Sequence, residues 1–318
     1  MIIVTGGLGF IGSNLVKRLN KDSEVIIVDK HSEFKIKNVK GLEIKDFFEK
    51  KNFIRLIKKN NFNFKNITHI FHLGACTNTA EKDKKYLYEN NFLYSKDLLK
   101  FSNNNNIKFI YASSASIYGN INSTMKEDIF SKNPLNLYAW SKVLFDQFVL
   151  KNKKKLKNTI GLRYFNVYGN NEFHKSKMCS PVLSFYEQLK KNKYCKIFKN
   201  YGGYDDGQHS RDFIYVEDVV NINMWMMNKK LVEIFNVGTG YTKTFNSVAE
   251  LVIKELGYGK IKYIDFPDIY KKKYQTFTKA NVLKLRNYGY KNSFITLQQG
   301  VRKYIRYLNE YHKKFEKN

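Results

Sequence analysis

Short apolar runs rich in β-branched residues alternate with longer amphipathic stretches through the first half of the chain. Such runs predict strands at residues 2–5, 25–28, 42–44, 69–73, 109–112 and 159–164. Apolar residues at three- and four-residue spacing predict helices at residues 11–19, 53–59, 85–102 and 137–149. Because parallel strands need crossover connections, this alternation predicts an α/β fold with a doubly wound parallel sheet that has helices on both faces.

The pattern changes after about residue 168, where Gly- and Asn-rich stretches replace the regular alternation. The segment 199–210 (KNYGGYDDGQHS) is the clearest example, and strand-like runs follow at residues 212–216 and 234–237. No stretch between the halves has the composition of a flexible linker, so we expect two domains that share a cleft. The expected boundaries are residues 1–167 with 213–240 for the larger domain, and 168–212 with 241–318 for a smaller α/β domain.

A glycine-rich segment, residues 5–12 (TGGLGFIG), lies between the first predicted strand and the first predicted helix. Glycine has no Cβ, so the chain can turn sharply there and its backbone can approach a diphosphate closely. The N-terminus of the following helix adds free N–H groups and a partial positive charge. Gly6, Gly9 and Gly12 recur every three residues, a tighter spacing than G-x-G-x-x-G. In this context the segment predicts the diphosphate site of a dinucleotide cofactor, and so a Rossmann sheet.

The end of the second predicted strand bears on which dinucleotide binds. Asp29 lies where an acidic residue meets the ribose hydroxyls of adenosine, and by itself it favours NAD. Lys30, Lys35 and Lys37 follow closely and could pair with a 2′-phosphate, which favours NADP. In a chain so rich in lysine they could equally be ordinary surface residues. The pattern therefore leaves the choice open, with NADP preferred.

Tyr138 and Lys142 stand four residues apart (YAWSK) in a predicted helix, and so on one helix face. A nearby ammonium group and a positive nicotinamide both favour the phenolate form of a tyrosine, which can then accept a proton near neutral pH. This spacing is common by chance. It gains weight from residues 111–116 (YASSAS), which end a central strand and place Ser114 where its hydroxyl could hydrogen-bond the reacting oxygen.

The composition adds a large positive charge without a polyanion-binding motif. The net charge is +28 and the isoelectric point is near 9.7. Lysine is spread through the chain, and the densest block, residues 151–157 (KNKKKLK), predicts a solvated turn. Basic residues are not interleaved with aromatic residues in a recognisable RNA-binding module. A non-catalytic dinucleotide-binding or RNA-binding protein remains the alternative from another class.

Cysteine, histidine and apolar patterns bear on metals and on location. The three cysteines, Cys76, Cys179 and Cys195, form no C-x-x-C pattern, so we expect free thiols and no structural metal. His69 and His72 lie in an apolar run, where we expect packed or hydrogen-bonded core histidines. No apolar run is long enough for a membrane span, and the first residues carry no basic leader, so the cytoplasm is the expected compartment.

The motifs TGGLGFIG, YASSAS followed by IYG, and YxxxK occur in an order and at intervals that resemble the extended short-chain dehydrogenase/reductase superfamily. The segments GACTNTAEKD, PLNLYAWSKVLFD, HKSKM and FPDIYKKKYQTFT are similar to the ADP-L-glycero-D-manno-heptose 6-epimerases, over nearly the whole chain. HKSKM and FPDIYKKKYQTFT are the most specific of them. The resemblance implies an NADP-binding larger domain and a substrate-binding smaller domain. It implies an isomerase that inverts carbon 6 of ADP-heptose for lipopolysaccharide core synthesis, and a homo-oligomer, often a pentamer, without nucleic-acid or membrane partners.

The resemblance also assigns residue roles. It adds Lys175 as a second acid/base to Tyr138, Ser114 and Lys142. The implied cofactor contacts are Gly6, Gly9, Phe10, Ile11, Gly12, Asp29, Lys30, Lys35, Lys50, Leu73, Gly74, Ala75, Cys76, Thr77, Asn90, Lys142, Val167 and Lys175. The implied substrate contacts are Asn166, Lys177, Ser184, Phe198, Lys199, Asn200, Tyr201, Arg211 and Tyr274.

Some residues depart from the related sequences or allow a second interpretation. Lys177 and Ser184 stand where relatives often carry Ser and His, and residues 202–210 contain extra positions, so the sugar pocket is expected to differ in detail from theirs. Arg211 would suit a diphosphate as a planar fork, or could pair with Asp205 or Asp212 at the surface.

Epimerisation is the favoured reaction on this scaffold. Dehydratases built on it typically carry an acidic pair where this chain has Ala115 and Ser116. Net oxidation would need an exchangeable cofactor. An aldehyde at the exocyclic carbon 6 can present its other face after half a turn, which moves its oxygen from Tyr138 towards Lys175. Another nucleotide-sugar epimerase, such as a UDP-hexose 4-epimerase, is the alternative enzyme.

Overall fold

The structure is a computed structural model of the chain. It describes residues 1–59, 62, 65–128, 130, 134–271 and 274–315, and for Lys177, Tyr270, Lys314 and Phe315 it describes the backbone only. Among the described residues, no helix combines the length and the apolar character that crossing a bilayer requires.

Thirteen strands and eleven helices alternate along the described part of the chain. The strands are β1 (Ile2–Thr5), β2 (Val25–Asp29), β3 (Asp46–Glu49), β4 (His69–His72), β5 (Lys108–Ser114), β6 (Thr159–Tyr164), β7 (Asn166–Tyr168), β8 (Tyr194–Phe198), β9 (Ser210–Arg211), β10 (Phe213–Tyr215), β11 (Val232–Val237), β12 (Lys243–Thr244) and β13 (Lys260–Ile264). The helices are α1 (Phe10–Leu19), α2 (Glu33–Ile36), α3 (Lys50–Lys58), α4 (Lys84–Leu87), α5 (Tyr94–Asn104), α6 (Leu137–Lys151), α7 (Pro181–Asn192), α8 (Val216–Met226), α9 (Phe245–Leu256), α10 (Leu283–Asn287) and α11 (Leu297–Phe315).

Seven of the strands form one parallel sheet in the order β11-β6-β5-β4-β1-β2-β3. The order reverses between β1 and β4, so the carboxyl ends of these two strands open a crevice at the switch point. Three short pairs lie outside this sheet: β7 with β10, β12 with β9, and β13 with β8. The predicted α/β fold with a parallel sheet is confirmed.

Two cores cover the two faces of the sheet. Ile2 and Val4 of β1 pack with α1 and α8, whereas Ile3 between them packs with α3, α5 and α6 on the other face. Successive side chains of a strand point to opposite faces, so a strand buried on both sides is apolar throughout. This explains why continuous apolar runs in the sequence marked the central strands correctly.

The predicted strand at residues 42–44 is wrong, because the edge strand β3 begins later, at Asp46. Leu42 and Ile44 instead pack from a loop against the core that contains α1. The edge strand has a partner on one side only and is partly exposed, so Asp46 and Glu49 are tolerated in it. Its apolar signal is therefore weak, while the nearby apolar residues that suggested a strand belong to loop packing.

A separate core lies among α7, α9, α11 and β8. It is built from residues such as Leu189, Val252 and Tyr304, which are fully buried. Leu285 and Tyr290, from the C-terminal part of the chain, pack instead with the core of the seven-stranded sheet. The boundaries expected for the two domains stay a prediction.

Candidate active site

The glycine-rich turn closes against the loop after β4. Gly6 has a φ of +69°, a conformation that favours glycine, and a Cβ built on it would lie 2.6 Å from the backbone nitrogen of Gly74. A Cβ on Gly12 would lie 2.0 Å from the Gly6 carbonyl oxygen. Side chains are thus excluded where β1 passes into α1, and the free N–H groups of the α1 N-terminus face the crevice.

Asp29, at the end of β2, connects this turn to a group of lysines. Its carboxylate accepts hydrogen bonds from the backbone N–H of Leu8 at 3.0 Å and of Lys30 at 2.7 Å. The Lys35 Nζ lies 3.9 Å from the same carboxylate. Beside it is a small pocket of about 160 Å³ that Asp29, Lys30, Lys35, Lys50 and Asn90 help to line. The geometry provides an acidic group and several cations where an adenosine ribose would bind.

Lys50 and Asn90 meet across this pocket, where the Lys50 ammonium donates to the Asn90 side-chain oxygen. Partial burial lowers the pKa of Lys50. This partly buried ammonium has a neutral amide oxygen as its hydrogen-bond acceptor. A phosphate would supply the negative charge that the amide lacks.

Ser114, Tyr138 and Lys142 converge at the carboxyl end of β5. The Tyr138 phenol lies close enough to the Ser114 hydroxyl for that hydroxyl to influence its pKa. The Lys142 Nζ donates to the Ala112 carbonyl at 2.8 Å and lies 6.0 Å from the centre of the Tyr138 ring. Asn136 caps the start of α6, its side chain accepting from the Ala139 N–H at 2.8 Å, so Tyr138 lies in the first turn of this helix.

Burial perturbs the two titratable members of this group in opposite directions. It raises the pKa of Tyr138 to about 12, although the nearby Ser114 hydroxyl opposes the rise. It lowers the pKa of Lys142 to about 8, and the negative charge of Asp146 opposes that fall. In each case burial disfavours the charged form, because a low-dielectric surrounding solvates charge poorly.

Lys175 reaches the same cleft from the other side. It lies in a short helical segment, Phe173–Met178, and its Nζ is 5.3 Å from the centre of the Phe10 ring at the start of α1. The neighbouring His174 also lines the cleft, and its Nδ1 is buried without a hydrogen-bond partner among the described residues. Burial and the charges of Lys35 and Lys175 lower the pKa of His174 to about 4.

One cleft of about 640 Å³ brings most of the predicted site residues together. The predicted residues on its lining are Gly6, Gly9, Phe10, Ile11, Gly12, Asp29, Lys35, Leu73, Gly74, Ala75, Cys76, Thr77, Ser114, Tyr138, Lys142, Asn166, Val167 and Lys175. The remaining predicted cofactor residues, Lys30, Lys50 and Asn90, line the smaller adjoining pocket.

Other predicted substrate residues do not line this cleft. Phe198 and Tyr274 belong to an aromatic cluster around Phe266, with ring centres 5.1 Å from it in each case, and Tyr201 stacks on the same ring at 4.1 Å. The Asn200 N–H is bonded to Asp206 at 2.8 Å. Ser184 lies on α7 and accepts from Gln188 at 3.0 Å.

Lys199 does not line the cleft either. The Lys199 ammonium forms an exposed ion pair with Asp265 at 2.9 Å. The side chain of Lys177 lies outside the described part of the chain.

Arg211 is buried rather than paired at the surface. Its guanidinium donates to the carbonyls of Ser210, at 2.9 Å, and Gln275, and it lies 5.0 Å from the centre of the Tyr274 ring. No ion pair joins it to an acidic residue in the described ranges. The Asp212 carboxylate instead accepts from the N–H of Thr239, Gly240 and Ala280. The surface pairs considered for Arg211 are therefore wrong.

His72 is hydrogen-bonded in the core and the three cysteines are free thiols, as expected. His72 is buried between Thr5 and Ser95, with a 2.7 Å hydrogen bond on each ring nitrogen. Cys76, Cys179 and Cys195 are free, and the first two line the cleft. No group of His, Cys, Asp or Glu within the described residues could hold a metal ion.

Asn91 is a structural residue of the site that the sequence did not reveal. It is buried in a π-helical turn, Tyr88–Leu93, and its side chain bonds the N–H and carbonyl of Cys76 at 2.8 and 3.0 Å and the Ser141 hydroxyl at 3.0 Å. It therefore joins the loop after β4 to α6. Its signal in the sequence is slight, since ENNFLYS carries two adjacent asparagines and only the fold shows which one is buried.

Most of the chain matches one known protein family. Residues 2–238 match the NAD dependent epimerase/dehydratase family. The chain belongs to this family. Its members are enzymes, and in this family member the glycine turn, Asp29 and the Tyr138 group line one cleft.

Several solved structures of epimerases resemble the chain over nearly its full length. ADP-L-glycero-D-manno-heptose-6-epimerase from Helicobacter pylori is 28% identical, with 97% of this chain and 96% of that chain covered and a TM-score of 0.84. UDP-N-acetylglucosamine 4-epimerase from Methanobrevibacter ruminantium is 26% identical, with 98% of each chain covered and a TM-score of 0.85. UDP-glucose 4-epimerase from Thermus thermophilus, in complex with NAD, is 26% identical, with 97% and 98% covered and a TM-score of 0.79.

Proposed function

We propose that this family member epimerises ADP-heptose at carbon 6, interconverting the D-glycero and L-glycero forms. One observation carries the proposal. Lys175 enters the cleft from the side of α1 and Tyr138 from the side of α6, so the cleft offers two acid/base groups on different elements. Inversion at an exocyclic carbon benefits from such a pair because the reacting oxygen changes position between oxidation and reduction.

Tyr138 acts at one position of that oxygen. Its phenolate takes the proton of the carbon-6 hydroxyl, while the Ser114 hydroxyl donates a hydrogen bond to the same oxygen. A bound nicotinamide dinucleotide supplies the acceptor for the hydride that leaves carbon 6 and later returns it. Carbon 6 is a stereocentre bonded to carbons 5 and 7, so the product of the first half is a ketone and not the aldehyde expected from the sequence. The sugar has then given one proton to Tyr138 and one hydride to the cofactor.

Lys175 acts at the other position. The ketone turns about the bond between carbons 5 and 6, and its oxygen then faces Lys175. The Lys175 ammonium would give that oxygen a proton as carbon 6 regains a hydride on its opposite face. The proton taken by Tyr138 and the proton given by Lys175 balance. Lys142 remains cationic below a pH of about 8, the value to which burial lowers its pKa, and so stabilises the phenolate.

NADP is the cofactor we propose. Lys35 stands 3.9 Å from the Asp29 carboxylate, and Lys30 and Lys50 line the same small pocket. A 2′-phosphate would be attracted to these three cations, whereas the ribose hydroxyl of NAD would meet Asp29 alone. We expect NADP to raise the melting temperature more than NAD at equal concentration, because a ligand that binds only the folded state stabilises it more the tighter it binds.

The nucleotide would bind beyond Asn166, along the segment that carries Tyr274. The Thr278 hydroxyl donates to the Asn166 side chain at 3.1 Å, and Gln275 donates to the Gly119 carbonyl at 2.6 Å, so this segment continues the wall of the cleft. The Arg211 guanidinium and the aromatic cluster around Phe266 lie next to this segment, since both contact the Tyr274 ring. To grip a diphosphate, the Arg211 guanidinium must exchange its bonds to the Ser210 and Gln275 carbonyls for phosphate oxygens.

The deciding experiment measures inversion at carbon 6 of the sugar. The purified protein is incubated with ADP-D-glycero-D-manno-heptose, and NMR resolves the two carbon-6 diastereomers. We expect a mixture of both, and an unchanged substrate with the Tyr138→Phe variant as control. The proposal would be refuted if the wild-type protein epimerised a UDP-hexose and left ADP-heptose unchanged.

A UDP-sugar 4-epimerase is the second candidate, favoured by the similarity to the Methanobrevibacter ruminantium enzyme. Thermal protection by ADP-heptose or by UDP-hexose distinguishes the two, because the tighter ligand raises the melting temperature more. A non-catalytic dinucleotide-binding or RNA-binding protein predicts binding without turnover. Cytoplasmic location, a role in lipopolysaccharide core synthesis and a homopentameric assembly belong to the proposal as its expectations.

A further inference from the structure

The segment that carries His174 and Lys175 is a closed loop, residues 169–180, between β7 and α7. The loop begins at Gly169 and ends at Ser180, whose hydroxyl caps α7 by accepting from the Leu183 N–H at 3.3 Å. Nothing in its sequence, GNNEFHKSKMCS, marks the glutamate as more than a surface charge. A single buried carboxylate nevertheless bonds both ends of the loop.

That carboxylate belongs to Glu172, whose side chain has no exposed surface. It accepts from the N–H of Gly169 at 3.3 Å, and from both the N–H and the hydroxyl of Ser180 at 2.6 Å each. Both ends of the loop are thus bonded to the same side chain. The Glu172 carbonyl also accepts from the Lys175 N–H at 2.9 Å.

Glu172 and Lys175 also interact electrostatically. Burial raises the pKa of Glu172, and the positive charge of Lys175 opposes the rise. A buried carboxylate with three donors and a nearby ammonium is satisfied in its charged form.

Two further contacts hold the loop against α1, the helix that follows the glycine-rich turn. The Asn14 side chain of α1 donates to the Asn170 carbonyl at 2.9 Å, and the Asn171 side chain donates to the Ser13 hydroxyl at 3.0 Å. Next to Lys175, Ser176 has a φ of 47°, a conformation that glycine adopts more readily. Such a backbone persists only where surrounding contacts hold it.

We infer that Glu172 is a positioning residue, which holds the loop 169–180 closed so that Lys175 stands over Phe10 and α1. The inference rests on the proposed function of Lys175 as the second acid/base. The Glu172 side chain is fully buried and does not line the cleft, so its effect on the substrate passes through Lys175.

The first test compares Glu172→Gln with Lys175→Met in the cofactor-loaded protein. Reduction of the bound cofactor is followed by absorbance after mixing with each carbon-6 diastereomer of ADP-heptose. One diastereomer is oxidised with Lys175 as base and the other with Tyr138. We expect Glu172→Gln to slow the same diastereomer as Lys175→Met, by about 100-fold, because a displacement of about 1 Å is enough for such a loss. The other diastereomer should react within about threefold of the wild-type rate.

Matched variants separate positioning from general damage. Glu187→Gln changes an exposed carboxylate on α7 that pairs with His312 at 3.1 Å, and it should leave both rates unchanged. Ser180→Ala removes one donor and keeps the Glu172 carboxylate, so we expect a smaller loss of rate on the same diastereomer. This variant replaces Glu172→Gln in the test if Glu172→Gln does not fold. Equal slowing of both diastereomers would overturn the inference.

Hydrogen–deuterium exchange supplies a test that needs no substrate. We expect the amides of residues 173–179 to exchange about tenfold faster in Glu172→Gln than in the wild type or in Glu187→Gln, since two loop ends lose a charged acceptor. Unchanged exchange would overturn the inference even in an active enzyme. If neither ADP-heptose diastereomer reduces the cofactor of the wild-type protein, the proposed function fails, and exchange alone decides whether Glu172 holds the loop.

Discussion

Tyr138 and Lys142 are perturbed by the same burial with opposite results. The pKa of the phenol rises to about 12 and the pKa of the ammonium falls to about 8, so each group moves towards its neutral form. Burial alone therefore does not make Tyr138 a base. A positive nicotinamide placed in the cleft would favour the phenolate, so the acid/base property of this site belongs to the protein and its cofactor together.

Removal of either acid/base group should stop turnover and spare the cofactor. We expect Tyr138→Phe and Lys175→Met each to lower kcat by about 100-fold or more, since each group moves a proton in one half of the reaction. Both variants should retain cofactor, measured by absorbance after denaturation. Full activity in either variant would contradict the use of two acid/base groups.

Lys142 should make stability depend on pH above neutrality. The pKa of Lys142 is about 8 in the folded protein, below the ordinary lysine value of 10.5 that applies in the unfolded chain. Between these two pH values the unfolded chain binds more protons than the folded protein, so stability rises with pH. Below pH 8 the amine is charged in both states and contributes no slope. Relative to Lys142→Met, the wild type should gain up to about 3 kcal/mol between pH 8 and 10.5. Urea unfolding of both proteins at pH 7.5, 9 and 10.5 measures the difference, and a constant difference would contradict the shift.

At the scale of elements, a buried ion pair locks α6 against β5 and β6. The Asp146 carboxylate on α6 accepts from Arg163 at 2.9 Å, from Ser113 at 2.9 Å and from Tyr111 at 3.0 Å. Ser113 precedes Ser114, and Asp146 lies one helical turn after Lys142. The network therefore fixes the distance between the strand and the helix that share the chemistry.

Loss of Asp146 should destabilise the fold strongly. The Arg163 guanidinium has no exposed surface, so Asp146→Leu leaves a buried charge without its partner and should lower the free energy of unfolding by about 3–5 kcal/mol. Adding Arg163→Met should restore part of that loss. Asp22→Asn, which removes the exposed pair with Arg18, should leave the urea midpoint unchanged. A double variant less stable than Asp146→Leu would contradict this account.

Most elements could be predicted from the sequence, and the failures have a common cause. The buried strands and the helices α1 and α6 have strong periodicity, because one or both faces are apolar. The edge strand β3 has little, since it is only partly buried. Arg163 reads as a surface residue until the fold places it opposite Asp146, seventeen positions away along the chain.

At the scale of the whole molecule, the net charge of +28 is distributed without a nucleic-acid module. The block at residues 151–157 is exposed except for Asn152 and Leu156, and it ends α6 as the solvated turn that the sequence predicted. Scattered charge attracts polyanions weakly and is screened by salt.

RNA binding should therefore be weak and sensitive to salt. We expect a labelled single-stranded RNA to bind with a Kd of about 1–100 μM at 150 mM salt, as in non-specific association. Fluorescence anisotropy at 50 and 150 mM salt measures it. Submicromolar binding that persists at the higher salt would support the RNA-binding alternative.

The sequence by itself determined the α/β class, the order of the elements, the glycine turn and the motifs around Ser114 and Tyr138, because these depend on local periodicity and short spacings. The tertiary structure alone decided which distant residues meet. It set Lys175 against Phe10, buried Arg211 behind Tyr274, and closed the loop of Lys175 on Glu172. Such contacts join remote segments or depend on burial, and chain topology fixes them where local pattern cannot.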